Sequence, residues 1–254
     1  MCLELIDVNK VFSHGGSNNH VLKDINLSIA NGEFLCILGH SGCGKTTLLN
    51  IIAGFLDKTS GQVLLQGKEV KHIGTDRVML FQDTTLFPWL NVIENIEFGL
   101  KFKGLKKAER RKKVLDLIDL VNLKGSEHLN VHQLSGGMKQ RVALARALAL
   151  DSEILLMDEP FSALDAYTKD KLRSELLRIW KACQKTILLV THDVEEAILL
   201  ADRIVIIASQ PGTIIREIPI SLERNMRKDS EQLKKLALSI KEEFGIVNEI
   251  ESVS

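Results

Sequence analysis

Phe34-Leu35-Cys36-Ile37-Leu38-Gly39-His40-Ser41-Gly42-Cys43-Gly44-Lys45-Thr46-Thr47 is the stretch that decides the fold. Five apolar residues end in a glycine-rich turn, and a run of helical character over 47–55 follows. Gly39 to Thr46 fit the pattern G-x-x-x-x-G-K-[ST] in the strand–loop–helix setting that gives this pattern its meaning. Its glycines let the backbone curl so that successive N–H groups face one point, and the helix adds its positive N-terminal end. The expected occupant is a phosphate chain. Lys45 supplies a mobile charge for the β- and γ-phosphates, and the Thr46 hydroxyl is placed to ligand Mg²⁺.

Working outward, strand-length apolar runs fall at 3–8, 22–29, 34–38, 62–65, 78–80, 154–157, 186–190 and 203–207. Those at 34–38, 154–157 and 187–190 are continuously apolar, as in parallel strands covered on both faces. The N-terminal runs alternate better and suit an antiparallel sheet. Between Asp83 and Asp151 the pattern turns helical, with Val114, Leu115, Leu117, Ile118 and Val121 as its apolar positions. This predicts a helical lobe, about 83–150, inserted in an α/β core. Residues 101–113 hold eight Lys or Arg. A solvated helix face is the plain reading, contact with anionic lipid headgroups the other. Leu233, Leu236, Ile240 and Phe244 predict an amphipathic helix in the C-terminal extension, 221–254, beyond a cassette spanning 1–220.

A phosphate site needs a metal ligand and a base. Ile154-Leu155-Leu156-Met157-Asp158-Glu159 delivers two carboxylates at a strand end. Asp158 suits Mg²⁺, and Glu159, pointing elsewhere, suits activation of the attacking water. Alone, the pair could simply cap a strand. A second apolar strand ends at His192, whose imidazole can hold a γ-phosphate and position the water.

The chain has 254 residues with 33 Lys+Arg and 33 Asp+Glu, a net charge of zero, which argues against a protein that coats nucleic acid. With 45% apolar and 26% charged residues it is an ordinary globular composition. No stretch free of Asp, Glu, Lys and Arg exceeds twelve residues; Ile204 to Ile215 is one, broken by Pro211-Gly212. A bilayer-spanning helix needs about 20 apolar residues. Glu4, Asp7 and Lys10 exclude a signal-peptide core, so the protein is expected to stay in the cytosol. Cys2, Cys36, Cys43 and Cys183 show neither disulfide nor zinc spacing.

Further motifs carry a resemblance. Leu134-Ser135-Gly136-Gly137-Met138 resembles the signature loop of ABC-transporter ATPases. Phe81-Gln82-Asp83 resembles their Q-loop, Ser162-Ala163-Leu164-Asp165 their D-loop, and Thr191-His192-Asp193 their switch histidine. Phe12 falls where the family sets an aromatic ring against adenine. The likeness covers roughly residues 3–219 in order and spacing, and on it the chain is identified as a member of that family. It departs in carrying Met138 where Gln is usual, and Phe12 in place of Tyr.

The resemblance implies a P-loop NTPase core with a mainly parallel sheet, an N-terminal antiparallel β-subdomain and the inserted helical lobe. It implies ATP held by Phe12 and the loop from Gly39, His40, Ser41, Gly42, Cys43 and Gly44 through Lys45, Thr46 and Thr47. Mg²⁺ would sit on Thr46, Gln82 and Asp158, with Glu159 and His192 catalytic. Ser135 reads as a helix N-cap, and Gly136 and Gly137 allow close approach, making a second anion site. In the family that site, with Asp165, closes on ATP held by the other subunit. A head-to-tail homodimer or paired ATPase subunit is implied, at the cytoplasmic face of the membrane, with transmembrane permease subunits and, indirectly, an extracytoplasmic solute-binding protein. Leu86-Phe87-Pro88-Trp89-Leu90-Asn91-Val92 and Ser209-Gln210-Pro211-Gly212-Thr213-Ile214 look like the nitrate/sulfonate/taurine importer type. A soluble relative acting on nucleic acid or ribosomes is the rival reading. A kinase or GTPase is a further one, but it leaves the signature loop without a purpose.

Overall fold

The computed structural model describes residues 1–14, 17–82, 85–162, 164–224, 227 and 230–251, with side chains up to residue 242 except that of residue 14. Asp83 and Ala163 of the quoted motifs, and the Phe244 side chain, lie outside the described residues. The chain divides into two units, Met1–Ile73 with Thr186–Ser254, and Gly74–Lys185. The first unit opens with β1 (Leu3–His14), β2 (Ser17–Ile29), β3 (Phe34–Leu38), α1 (Lys45–Ala53), β4 (Ser60–Leu65) and β5 (Lys68–Glu69). The second contains β6 (Arg77–Leu80), α2 (Val92–Glu97), α3 (Lys107–Leu120), α4 (Gly136–Ala149), β7 (Ile154–Asp158) and α5 (Ala166–Cys183). The chain then completes the first unit with β8 (Thr186–Thr191), α6 (Val194–Leu200), β9 (Arg203–Ala208), β10 (Thr213–Pro219) and α7 (Glu231–Glu251).

In the first unit β3 pairs in parallel with β8 (Phe34 opposite Ile187) and with β9 (Leu35 opposite Arg203). Every residue of β3 and β8 is buried, as continuous apolar runs require. β10 adds an antiparallel edge to β9. Nothing in the sequence pointed to β10, because its Ile215, Arg216 and Glu217 are exposed and only Ile218 is buried. The second sheet is antiparallel, in the order β2-β1-β4-β5. β1 runs beyond the expected residue 8 because its pairing with β2 continues through polar partners, Phe12 opposite Asn19 and Ser13 opposite Asn18.

In the second unit β6 and β7 run parallel, from Arg77 opposite Ile154 to Leu80 opposite Met157. Helix α2 starts at a capping box, Asn91 with Glu94. Helix α3 buries Val114, Leu117 and Ile118, followed by buried Val121, but Leu115 is 42% exposed. The expected helix is present; positions 114/118 and 117/121 share a buried stripe that residue 115 leaves. The ion pair Arg141–Glu175, 2.8 Å, ties α4 to α5. Of the basic run, Arg110 is committed internally, to Glu97 at 3.1 Å and the Leu105 carbonyl at 2.8 Å. Among the described residues no helix is long and apolar enough to cross a membrane.

Candidate functional site

The glycine-rich loop leaves the buried end of β3 and enters α1. Gly44 is the N-cap of α1 at φ 95°, a left-handed conformation, and a Cβ there would lie 2.8 Å from Leu22 Cδ2. Glycine meets both demands. No side chain caps α1 and no acidic residue occupies its first turn, so its positive end is presented to the loop alone. Lys45 is buried, and its Nζ donates to the carbonyls of Gly39 at 2.7 Å and His40 at 2.8 Å, across the loop it serves. Ser41, Gly42 and Thr46 are exposed, His40 and Thr47 half-buried. Cys43 is buried within the loop, and none of the four cysteines is in a disulfide. Burial, above all, pushes the Cys36 thiol well up, which leaves it protonated and unreactive.

Two further predicted residues belong to this unit. His192 is exposed at the end of β8, and the amide of Gly39 donates to the carbonyl of the preceding Thr191 at 3.4 Å, which brings the two strand ends together. The Thr191 hydroxyl donates to the buried Glu196 carboxylate and accepts from the amide of Asp193 at 3.1 Å. Phe12 is exposed rather than core, and Lys10 Nζ sits 4.6 Å from its ring centroid while donating to the Asp57 carbonyl at 2.7 Å. One face of the ring is thereby taken by a cation, leaving the other for stacking.

The other predicted residues lie in the second unit. Asp158 is buried at the end of β7. Glu159 follows at φ 44°, a left-handed turn that sends its side chain off the strand direction. The Ser162 hydroxyl holds the Glu159 carbonyl at 2.9 Å. Gln82 is exposed just after β6. Ser135 caps α4, accepting from the amide of Met138 at 3.3 Å, and Asp165 caps α5, accepting from the amide of Thr168 at 3.0 Å. That backbone bond holds the Asp165 carboxyl below the usual carboxylate range. Ser135, Gly136, Gly137 and Asp165 line one cleft of about 460 Å³, together with Tyr167 and Lys171.

Three contributors had escaped sequence reading. Gly212 packs so tightly on the loop that a Cβ would lie 2.3 Å from the Cys43 carbonyl oxygen, and its backbone exchanges bonds with Val21 at 2.9 Å and Lys23 at 3.0 Å. Its neighbours Gln210 and Pro211 line a cleft of about 450 Å³ with Asn19, His20, Val21 and Gly42. The Pro211-Gly212 pair was the available signal, although no spacing ties it to the loop. Lys10 and Gln140 act through main-chain carbonyls, which leave no trace in a sequence.

A glycine-cradled helix end with a buried lysine defines a phosphate-binding loop, and the chain carrying it is a nucleotide-binding ATPase. The model of the ABC transporter family matches residues 22–162, and the chain belongs to that family. The taurine import ATP-binding protein of Pelagibacter ubique is 50% identical over 212 residues, 83% of this chain and 80% of that protein. The nitrate import ATP-binding protein of a Synechocystis species is 45% identical over an alignment of 256 residues, 100% of this chain and 95% of that protein. A solved ATP-binding cassette, dimeric in a post-hydrolysis state and bound to ADP and Pi, superposes with a TM-score of 0.74 at 35% identity, covering 87% of this chain and 100% of that one.

Proposed function

We propose that this chain is the ATP-hydrolysing subunit of an importer for a small solute of the nitrate, sulfonate or taurine kind. It works as a head-to-tail homodimer or paired subunit at the cytoplasmic face of the membrane. Its partners are transmembrane permease subunits, with an extracytoplasmic solute-binding protein acting indirectly. Residues 1–220 form the cassette and 221–254 a C-terminal helical extension. The observation that carries the ATPase reading is the loop at the end of β3, with Gly44 in a left-handed turn and Lys45 across the mouth. Import and solute class are supported by what the nitrate and taurine relatives are named for.

In this reading the loop amides and Lys45 grip the β- and γ-phosphates, and the open face of Phe12 stacks on the adenine. Thr46, Asp158 and Gln82 offer hydroxyl, carboxylate and amide oxygens, a hard donor set that suits Mg²⁺. When bound, Mg²⁺ would neutralise charge on the phosphate oxygens. Glu159 accepts a proton from the attacking water as its oxygen bonds to the γ-phosphorus and the bond to the β–γ bridging oxygen breaks. His192 holds the γ-phosphate in line. Ser135, Gly136, Gly137 and Asp165 act on the nucleotide of the other subunit, through the capped end of α4.

Reconstitution tests the coupling. In vesicles holding the permease, ATP hydrolysis should rise when binding protein loaded with taurine or nitrate is added on the opposite side. A hydrolysis rate indifferent to permease and solute contradicts the importer reading.

A further inference from the structure

Helix α6 has seven residues, too few to be stable alone, and it begins immediately after the switch histidine. Asp193 is its N-cap, accepting from the amides of Glu195 at 3.0 Å and Glu196 at 3.1 Å, so only the cap residue separates His192 from the helix. The last carbonyls of a helix have no partner within it. Here they are met by two arginines of the C-terminal extension. Arg227 donates through Nη1 to the carbonyls of Ile198 at 3.1 Å and Ala201 at 2.6 Å. Its Nε and Nη2 bind the carbonyls of Leu222 at 2.8 Å and Ile220 at 3.3 Å, folding the extension onto itself. Arg224 donates through Nε to the Leu200 carbonyl at 3.0 Å.

Arg227 is 4% exposed, and burial brings its guanidinium down to about 10, still cationic at neutral pH. Two cations at a helix C-terminus also oppose the negative end of its dipole. Arg224 reaches further, binding Asp202 at 2.6 Å; Asp202 in turn accepts from the amide of Phe34, at the foot of β3, at 3.0 Å. At the other end of α6, Lys241 of α7 pairs with Glu195 at 2.9 Å. The extension therefore grips α6 at both ends. A short helix held this way follows the segment that holds it, and a displacement reaches His192 through a single cap residue.

We propose that the C-terminal extension is a positioning arm for His192, with Arg227 its principal residue and Arg224 its second. The proposal rests on the reading that His192 acts in hydrolysis. Removing the arm's grip changes the placement of the histidine and therefore the chemical step, while the phosphate loop keeps its affinity.

The test uses the full chain as Arg227→Gln, Arg227→Lys, His192→Ala and the double variant His192→Ala with Arg227→Gln. Single-turnover hydrolysis, affinity for a fluorescent ATP analogue and thermal midpoint are measured for each. Arg227→Gln should lower the hydrolysis rate roughly tenfold with affinity unchanged, since small misplacements of a catalytic group carry such costs. Arg227→Lys should recover part of the rate. In the His192→Ala background Arg227→Gln should add no further loss, because both act on one group. Wild-type rates in Arg227→Gln, or losses that simply add, overturn the arm. Should Arg227→Gln not fold, Arg224→Gln, alone and with His192→Ala, is read by the same two criteria. A wild-type rate in His192→Ala overturns the histidine's role itself. A large loss there with none in the Arg227 variants overturns the arm alone.

Discussion

The side-chain amide of Gln140 donates to the carbonyl of Pro160 at 2.6 Å, within the protein interior. Gln140 lies on α4, which opens at Ser135, and Pro160 immediately follows Glu159. One bond thus fastens the helix of the signature loop to the backbone that presents the proposed base. Glu159 is itself in a left-handed turn that only its surroundings maintain. Whatever moves α4 is felt at Glu159.

Replacing Gln140 by Leu keeps the bulk and deletes the donor, leaving a buried carbonyl unmet at a cost of about 1–3 kcal/mol. The turnover rate should fall roughly tenfold while nucleotide affinity stays level. Steady-state kinetics with a nucleotide-binding titration check this; equal losses in both would mean general unfolding instead.

Gly44→Ala and Gly212→Ala should both weaken ATP binding, for different reasons. The first puts a Cβ in a left-handed turn and 2.8 Å from Leu22 Cδ2; the second drives a Cβ to 2.3 Å from a backbone oxygen of the loop. Leu22 can yield somewhat, but the Cys43 carbonyl can move only with the loop. Gly212→Ala should therefore cost at least as much affinity as Gly44→Ala. Calorimetric titration with ATP ranks the two.

Glu159→Gln keeps the shape and removes the base. It should bind ATP, accumulate a closed dimer on size-exclusion chromatography, and hardly turn over. Wild-type hydrolysis in this variant would remove Glu159 from its role.

The Asp165 carboxyl is held below its ordinary range by the bond from the Thr168 amide, so the folded state favours its charged form. The stabilisation of the α5 start is present above the unfolded carboxylate range, about pH 4, and is lost as pH falls through the lower folded value. Asp165→Asn keeps an acceptor at every pH and should flatten this acid dependence. Urea unfolding from pH 7 down to pH 3 measures it.

The core strands and the phosphate loop were legible because their signals are local. β3 and residues 187–190 of β8 are unbroken apolar runs, and the loop is one short motif ending in Lys45 and Thr46. What escaped reading depends on distant or main-chain partners. β10 is an edge strand whose exposed Arg216 and Glu217 carry no apolar pattern. Arg227 and Gln140 bind carbonyls, which every residue possesses, so no residue type marks their partners. Leu115 belongs to the helical pattern yet is exposed, because apolar character alone does not tell which side of α3 a residue occupies. Met138, an expected departure from the usual signature loop, leaves the cap intact, since it contributes its backbone amide to Ser135.

The account stands on each ATP being gripped by two copies of the chain, one through its phosphate loop and the other through its signature loop. Mixing two inactive variants, Lys45→Ala and Ser135→Arg, tests this directly. In a head-to-tail pair a mixed dimer keeps one whole site, so the mixture should regain at most about a quarter of wild-type hydrolysis, half the dimers being mixed with one of two sites intact. A mixture as inactive as its parts, or full activity in either variant alone, would contradict it.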